Sequence, residues 1–287
     1  MNRQHNIVIC IPNYNGAKEL ASMNVRSKYD IVVIDNASTD NSVEICREKG
    51  WKVIENVNTV DRVDNWIRCL EFFKNSDYEW MKWLFVGDEL AENFDNIVDK
   101  NIEKYYDPSV IVFSYLINGK NTASTWRCSL ESGKYTIKEI SNELIKGNNI
   151  FGSPIGILVS KAAISSSKNI EVNNLSWAAD KLIGYYLAKT GYTVVSDDVI
   201  GEFNILTRKH FQKLSNSLEA LLEEIEVLRI IVNDQKSNGR TFEWKNTAVY
   251  HYLFRAVSTY YGNKPLGKLI RKAVISKSNR KKDKILK

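Results

Sequence analysis

The stretch "YDIVVIDNASTDNSVEI", residues 29–45, joins an apolar run to a carboxylate and then to small polar residues. Ile31–Ile34 is β-branched throughout and lacks polar alternation, which is typical of a strand covered on both faces in a parallel sheet. The run places Asp35 at the carboxyl end of the strand, where open α/β sheets bind ligands. A simple turn role for Asp35 is the alternative that this segment leaves open. The segment therefore predicts a parallel strand with a candidate ligand residue at its end.

On either side of this stretch, apolar runs of strand length alternate with helical patterns. The helix predicted for "VDNWIRCLEFFKNS" carries Trp66, Leu70 and Phe73 on one face. The strand-like runs are "NIVICIP", "DIVVID", "WKVIEN", "MKWLFVGDEL" and "SVIVFSYL". This alternation predicts an α/β fold with a mostly parallel central sheet flanked by helices.

The last quarter of the chain is predicted to be a helical extension. "SLEALLEEIEVLRIIVND" and "FEWKNTAVYHYLFRAVSTYYG" both have helical periodicity. In the first of them, one apolar stripe with acids opposite is expected to comprise Leu218, Leu221, Leu222, Ile225 and Leu228.

Composition indicates a folded cytoplasmic protein. The 287 residues, 44% hydrophobic and 26% charged, suffice for one large domain with or without a helical appendage. No apolar run approaches the ~18 residues of a membrane span, and no signal-peptide core is present at the start. The four cysteines are far apart without a Cys-x-x-Cys pair, so reduced thiols are expected. With only three histidines, a zinc site of His and Cys is not expected.

Basic charge is concentrated at the end of the chain. Residues 264–287 contain ten Lys or Arg against Asp283 alone, a net charge of +9. The whole chain carries +6, so the remainder carries −3. Because each basic residue near an anionic bilayer contributes about 1 kcal/mol, an anionic membrane surface is an expected partner of this tail. A solvated tail is the alternative, and no nucleic-acid partner is expected because aromatic residues are not interleaved with these charges.

Three separated pieces resemble one known family when they are taken in order. They are "VICIPNYNG", "IVVIDNASTDNS" and "WLFVGDEL", each a strand followed by polar or acidic residues. Together they resemble the family 2 glycosyltransferases, nucleotide-sugar-dependent enzymes with the Rossmann-like GT-A fold, particularly those that build bacterial polysaccharide and O-antigen. The resemblance spans roughly residues 6–210. It implies a transferase domain over 1–210, a helical extension over 211–262 and a basic tail over 263–287.

The resemblance implies where a nucleotide-sugar donor, expected to be a UDP- or dTDP-sugar, would bind. In the family, the residue matching Asp35 contacts the base or ribose, and the first strand-to-helix loop contacts the nucleotide. A turn is the alternative role for that loop, since Pro-Asn-Tyr-Asn-Gly is a good turn sequence. Arg62 is a candidate contact of the diphosphate. The expected nucleotide-binding residues are Pro12, Asn13, Tyr14, Asp35, Asn36, Arg62 and Asp88.

The segment "VGDE" departs from the family's Asp-x-Asp motif. Val86 replaces the first acid, Asp88 matches the second and Glu89 follows it. The resemblance implies that Asp88 holds Mn²⁺ or Mg²⁺ against the diphosphate, and one carboxylate suffices for such a hard cation. A helix-capping role for Asp88 is the alternative. His210 in "TRKHFQKLS" resembles a late Arg-x-His segment and is a candidate second metal ligand, with a surface position as its alternative.

Asp180 is the candidate catalytic residue. In the family an acid opens the helix below the acceptor site and acts as general base; here Ala179 replaces the preceding Glu and Asp180 remains. Burial that raises its pKa towards working pH would suit this task. The alternative is an Asp favoured by the helix dipole. The segment that passes beneath the donor sugar is expected to place Gly152, Ser153 and Pro154, together with Glu89, in the vicinity of donor sugar and acceptor.

The sequence therefore predicts an inverting, metal-dependent transferase that moves a sugar to a glycan or lipid-linked oligosaccharide in bacterial surface polysaccharide synthesis. The alternative is a catalytically silent relative of the same fold that binds nucleotide or glycan, which Val86 and Ala179 make conceivable. The expected location is the cytoplasm, with peripheral contact at the inner face of the plasma membrane.

Overall fold

The opening stretch contains the strand next to one edge of a ten-stranded sheet in the computed structural model, which describes residues 5–119, 123–166, 170, 172, 175–205 and 218–239. The predictions for His210, for the helix beyond residue 239 and for the tail 264–287 lie outside these residues. The strands are β1 (Ile7–Asn13), β2 (Asp30–Asp35), β3 (Lys52–Glu55), β4 (Trp80–Trp83), β5 (Glu89–Leu90), β6 (Val110–Asn118), β7 (Ala123–Trp126), β8 (Gly133–Tyr135), β9 (Ile157–Ser160) and β10 (Thr193–Asn204).

Helices connect the strands and extend beyond the sheet. A short 3₁₀ helix, Pro154–Gly156, precedes β9. The α-helices are α1 (Ala17–Ser22), α2 (Ser42–Glu48), α3 (Arg62–Lys74), α4 (Phe94–Lys104), α5 (Ile137–Ile145), α6 (Lys161–Ser166), α7 (Ala179–Ala188) and α8 (Leu218–Ser237). None of the helices in the described part of the chain combines the length and apolar character that crossing a bilayer requires.

The sheet order is β3-β2-β1-β4-β9-β6-β10-β5, with β7 on β6 and β8 on β10. β1, β2, β3 and β4 are mutually parallel, and β10 runs parallel to β6. β9 runs antiparallel between β4 and β6, and the short strands β5, β7 and β8 are also antiparallel to their partners. Most residue pairs are therefore parallel, which confirms the predicted mixed α/β fold with a mostly parallel sheet.

Hydrophobic layers cover both faces of the sheet, as the unbroken apolar strands predict. All seven residues of β1 are buried. Val8 and Cys10 join one cluster with α3, α5, α7 and α8, whereas Ile7, Ile9 and Ile11 join another with α1, α2 and α4. The predicted apolar face of α3 is confirmed. All four cysteines are free thiols, as expected.

The prediction of one strand over "MKWLFVGDEL" was wrong. β4 ends at Trp83, and Phe85–Asp88 form a turn closed by a hydrogen bond from the Asp88 N–H to the Phe85 carbonyl oxygen (2.9 Å). Gly87 has a φ of 88°, a conformation that favours glycine at the third position of such a turn. The chain then re-enters the sheet as β5 against β10. β4 therefore ends before the glycine turn, and Asp88 lies at the end of that turn.

The apolar stripe predicted for α8 was also wrong in part. Leu221 and Leu228 are buried, but Leu222 is 56% exposed and Ile225 43% exposed. The buried face is instead formed by Ala220, Leu221, Glu224, Val227, Leu228, Ile231, Val232 and Gln235. The buried face of α8 thus includes an acid that pairs with Lys181 on the neighbouring helix α7, a contact that periodicity alone does not reveal.

Lys82 lies in the interior of the sheet with no exposed surface. Its Nζ donates hydrogen bonds to the carbonyl oxygens of Trp83 (2.6 Å) and Ile155. Burial lowers the pKa of Lys82 from 10.5 to about 7, although the negative charge of Asp88 opposes this. The buried amine thus joins β4 to the short 3₁₀ helix.

The titration of Lys82 predicts a pH-dependent stability. Between pH 7 and 10 the unfolded chain holds a proton on Lys82 that the folded chain has released, so the free energy of unfolding rises with pH. We expect a contribution of about 1.4 kcal/mol per pH unit. Urea unfolding at pH 7, 8 and 9 should show this slope in the wild type but not in Lys82→Met. The exposed-site control Lys74→Met should keep it; equal slopes in all three proteins would contradict the assignment.

Candidate functional site

A cavity of about 1000 Å³ lies at the carboxyl ends of the parallel strands. Its wall combines residues that follow β1, β2 and β4 with residues from the ends of β6 and β10 and from the start of α7. The predicted site residues on this wall are Pro12, Asn13, Tyr14, Asn36, Arg62, Gly152, Ser153, Pro154 and Asp180. The fold thus brings together residues that are separated by up to 168 positions in the sequence.

Three predicted site residues lie beside the cavity and not on its wall. Asp35 and Asp88 are each 1% exposed, and Glu89 is exposed on β5. Asp35 is bonded to the wall residue Asn13, and Asp88 Oδ1 accepts a hydrogen bond from the backbone N–H of Asn204 (3.0 Å). Both acids therefore lie at the predicted edge of the sheet, and their proposed contacts with ligand remain predictions.

Asp35 connects the loops that follow β1 and β2. Asp35 Oδ1 accepts hydrogen bonds from Asn13 Nδ2 (2.7 Å) and Ser38 Oγ (2.7 Å), and its Oδ2 accepts one from the Ser38 N–H (2.8 Å). Ser38 Oγ also accepts from the Asn15 N–H (2.9 Å). These bonds give Asp35 the structural role that the sequence left open as its alternative. They also orient the amide of Asn13.

Asn13 presents an unsatisfied acceptor next to the cavity. Its side chain is buried, its Nδ2 donates to Asp35, and its Oδ1 has no hydrogen-bond partner within the described structure. A Cβ added at Gly16 would lie 2.5 Å from this oxygen and 3.0 Å from Val86. The glycine therefore keeps the space around Asn13 Oδ1 open, and a buried acceptor of this kind is stabilised by a ligand that donates to it.

A group of asparagines supports the same end of the cavity. Asn36 Oδ1 accepts from Asn56 Nδ2 (3.1 Å) and from the Val60 N–H (2.9 Å). Asn56 Nδ2 also donates to Asn65 Oδ1 (3.0 Å), and Asn65 Nδ2 donates to the carbonyl oxygen of Ile34 (3.1 Å). The sequence analysis missed Asn56 and the cavity-lining Asn65. A buried asparagine on the apolar face of α3 was the available signal for Asn65.

Asp180 lies in the first turn of α7, partly buried on the cavity wall. Burial raises the pKa of its carboxyl from 3.8 to about 6, and the negative charge of Glu224 adds to this rise. The hydrogen bond from the Lys181 backbone N–H (2.7 Å) and the positive charges of Lys181 and Arg62 oppose it. The balance leaves a carboxylate that can accept a proton near neutral pH.

The helix α8 contributes two acids to the site that sequence analysis missed. Glu223 Oε2 accepts hydrogen bonds from the backbone N–H groups of Ser176 (2.9 Å), Trp177 (2.6 Å) and Ala178 (3.0 Å). Glu224 lines the cavity, accepts from Trp177 Nε1 (3.1 Å) and pairs with the buried Lys181 Nζ at 3.7 Å. The residues that precede α7 are thus bonded to a helix that is distant in the sequence. No local sequence signal predicts this contact.

Arg62 links α3 to the same residues that precede α7. Its guanidinium carbon lies 4.9 Å from the centre of the Trp66 ring, and its Nη2 donates to the carbonyl oxygen of Ser176. An arginine in this position carries a fixed positive charge beside the cavity and close to Asp180. It can therefore attract an anionic ligand and also favour the charged form of Asp180.

The two ends of the cavity differ in chemistry. The asparagines and Arg62 make one end polar, whereas Tyr115, Trp126 and Phe203 make the other aromatic. Within the described residues, no three His, Cys, Asp or Glu side chains are grouped so that they could hold a metal ion. Val86, at the position of the missing acid, lines the cavity with an apolar side chain.

We expect Glu223 to stabilise the junction of α7 and α8. Glu223→Ala removes a charged acceptor shared by three backbone N–H groups, so the free energy of unfolding should fall by about 2 kcal/mol. Glu219→Gln, an exposed change in the first turn of α8, should alter it by less than about 0.5 kcal/mol. Urea unfolding monitored by circular dichroism measures both. Equal effects of the two substitutions would show that the contact does not hold the helices together.

Comparison with known proteins identifies the fold. No family model matches the chain, and no curated protein matches it in sequence. Among solved structures, S. aureus TarS 1-349 matches with a TM-score of 0.55 at 14% identity, over 88% of this chain and 80% of that chain. TarS 1-349 in complex with UDP-GlcNAc matches with a TM-score of 0.57 at 13% identity, over 88% and 81%. A longer TarS structure matches with a TM-score of 0.54 at 15% identity, over 94% of this chain and 53% of that chain.

These similarities concern the fold, because the identities are low. The chain has the fold of the GT-A glycosyltransferases, as the sequence predicted.

Proposed function

We propose that this protein is a glycosyltransferase that binds a nucleotide-sugar donor in the cavity and transfers the sugar to a glycan or lipid-linked oligosaccharide. The observation that carries the proposal is the junction, in one cavity, of the buried Asn13 acceptor with the Asp180 carboxylate. The fold shared with TarS, one structure of which contains UDP-GlcNAc, supports the donor class. We further propose family 2 membership, an inverting reaction and a role in bacterial surface polysaccharide synthesis.

The nucleotide would occupy the polar end of the cavity. Uracil, thymine and guanine each carry a ring N–H that can donate to the unsatisfied Asn13 Oδ1. We favour a UDP- or dTDP-sugar, with Pro12, Tyr14 and Asn36 beside the nucleoside. In this proposal Arg62 faces the diphosphate, because its planar guanidinium suits phosphate oxygens. Asp35 supports the base through Asn13 and does not itself line the cavity.

In this proposal a divalent cation binds with Asp88 as its protein ligand, although Asp88 is buried beside the cavity and not on its wall. Mn²⁺ and Mg²⁺ take oxygen ligands and complete their coordination with phosphate and water, so a single carboxylate at the end of the Phe85–Asp88 turn is sufficient. When bound, the cation neutralises charge on the departing diphosphate. His210, outside the described residues, is the second ligand that we propose. Glu89 is a weaker candidate for a sugar contact, because it is exposed on β5 and not on the cavity wall.

Asp180 would act as the general base. Its carboxylate takes the proton from an acceptor hydroxyl while that oxygen bonds to the anomeric carbon of the donor sugar. The bond from this carbon to the diphosphate oxygen breaks, and its electrons leave with the nucleotide diphosphate. Attack from the face opposite the leaving group inverts the stereochemistry. Gly152, Ser153 and Pro154 would adjoin the reacting sugars.

The chain's place in the cell is a further part of the proposal. We propose a cytoplasmic protein that contacts the inner face of the plasma membrane through residues 264–287, close to a lipid-linked acceptor. The division into a transferase domain, a helical extension and a basic tail is proposed with it. Of the extension, the described helix α8 packs against α5 and α7.

A donor screen tests the transferase proposal. Wild-type protein with Mn²⁺ should hydrolyse or transfer from one of a panel of UDP-, dTDP- and GDP-sugars, and chelation should remove the activity. Asp180→Asn should lower kcat by at least about 100-fold while nucleotide affinity persists. Asp88→Ala should lose the response to Mn²⁺, and Asp64→Asn, exposed on α3, should behave as wild type.

The same screen distinguishes the transferase from the alternative function, a catalytically silent relative that binds nucleotide or glycan. Nucleotide binding without turnover of any donor would favour the catalytically silent relative. Absence of nucleotide binding would refute the transferase and leave only the glycan-binding form of the silent relative.

The environment of Asp180 predicts the pH profile of the reaction. Because the base acts in its charged form and burial raises its pKa to about 6, kcat/KM should rise with pH through about 6. Glu224→Gln removes a negative neighbour and should move this rise in kcat/KM to lower pH. Arg62→Met removes a positive neighbour and should move the rise to higher pH. Steady-state rates from pH 5 to 8 measure the shifts. Identical pH profiles in all three proteins would exclude Asp180 as the titrating group.

Asn13 provides a test of nucleotide binding. Loss of one buried hydrogen bond to the base in Asn13→Ala should weaken nucleotide affinity by about tenfold, measured by isothermal titration. Ser38→Ala is the matched control, since it removes the hydroxyl that donates to Asp35 and accepts from Asn13 Nδ2 but leaves Asn13 Oδ1 in place. Equal losses in both variants would show that loop structure and not base contact determines the affinity.

A further inference from the structure

The aromatic wall, defined as Tyr115, Trp126 and Phe203, forms the end of the cavity away from Asn13. The rings of Tyr115 and Trp126 stack with centroids 5.0 Å apart and planes 12° apart, and Tyr115 meets Phe203 edge to face at 6.1 Å. Trp126 is only partly buried, although it packs on this cluster. The wall therefore places part of the Trp126 indole at the surface of the cavity.

The structure around the wall holds it in one arrangement. Tyr115 and Trp126 are opposite each other in the β6–β7 pair. Tyr115 Oη accepts a hydrogen bond from the Ser153 N–H (2.8 Å). Gly152 has a φ of 60°, and a Cβ there would lie 2.8 Å from both the Trp126 ring and Tyr115 Oη. The glycine permits the 152–153 backbone to approach the ring pair, so the platform is formed before a ligand arrives.

The position of the wall separates it from the nucleotide end. β1, which carries Asn13, is separated from β6 by β4 and β9 in the sheet. Three strand spacings correspond to about 14 Å. A cavity of about 1000 Å³ is at the upper end of the range for single small-molecule sites. There is thus room for a second ligand beyond a nucleotide held at Asn13 and Arg62.

We propose that the aromatic wall binds a saccharide ring of the acceptor, with its C–H face against Trp126. This inference rests on the proposed transferase function and adds a residue that defines the acceptor class. A pyranose has an apolar face of C–H groups that is attracted to the electron-rich face of an indole, while its hydroxyl groups require polar partners. Asn149 and Ser153 line the same part of the cavity and provide such partners. A lipid chain would leave those polar groups desolvated, so a sugar is the better match.

Saturation-transfer NMR with methyl glycosides of glucose, galactose, mannose and N-acetylglucosamine tests the proposal on the full-length protein. At least one glycoside should bind the wild type and receive saturation mainly on one ring face. Its affinity should fall at least tenfold in Trp126→Leu and stay within threefold in Trp126→Phe. Trp51→Ala, which removes an indole outside the cavity, is the matched control and should bind as wild type. Affinity for UDP, dTDP and GDP should be unchanged in every variant.

A second measurement needs no variant and so does not depend on how Trp126→Leu folds. N-bromosuccinimide oxidises accessible indoles, and peptide mass spectrometry locates the products. The bound glycoside should protect Trp126 but not Trp51. Unchanged oxidation of Trp126 at saturating glycoside would overturn the proposal.

The remaining outcomes distinguish this inference from the proposed function. Wild-type protein that binds a nucleotide but no glycoside, or Trp126→Leu that binds glycoside as wild type does, overturns the saccharide subsite alone. Protection of Trp126 by farnesyl phosphate and not by any glycoside also overturns it, in favour of a lipid occupant. Trp126-dependent glycoside binding without nucleotide binding supports the subsite and refutes the donor site.

Discussion

The candidate site depends on the burial of one carboxylate at the end of a parallel strand. Asp35 has almost no contact with solvent, so its charge must be satisfied by the protein. It accepts from Asn13 on the neighbouring loop and twice from Ser38 on its own loop. These bonds join the connections after β1 and β2 and leave the oxygen of the Asn13 amide as an unsatisfied acceptor. A buried anion beside the cavity thereby shapes the part of it that we propose for the nucleobase.

A second set of acids acts at the other side of the cavity. Glu223 caps the backbone that leads into α7, and Glu224 pairs with Lys181 beside Asp180. The residues on either side of Asp180 are thus bonded to a helix that begins 38 positions after it in the chain. Burial and Glu224 raise its pKa, whereas Lys181 and Arg62 lower it, so the proton affinity of the proposed base depends on contacts between several segments. The helical extension is therefore part of the site and not only an appendage.

Sequence patterns predicted secondary structure correctly where the spacing of apolar residues had a single structural explanation. The β-branched run before Asp35 predicted a strand covered on both faces, and the spacing of Trp66, Leu70 and Phe73 predicted the buried face of α3. The patterns failed where contacts with distant segments or a turn overrode the apolar spacing of the segment itself. β4 ends at Trp83 although the apolar run continues to Val86, and a turn with Gly87 at positive φ follows. Periodicity placed Leu222 and Ile225 in the core, but the buried face of α8 instead contains Glu224, which pairs with Lys181 on α7.

The sequence by itself determined the α/β class and the mostly parallel sheet, and the family resemblance supplied nine of the residues that line the cavity. Buried strands that alternate with amphipathic helices give this class whatever the details of packing, and the carboxyl ends of parallel strands meet at one edge of the sheet. Only the tertiary structure decided that Asp35 lies beside the cavity, that Asn13 Oδ1 has no hydrogen-bond partner among the described residues, and that Glu223, Glu224 and Trp126 belong to the site. The reason is that hydrogen bonds and ring stacking between distant segments leave no periodic trace in the chain.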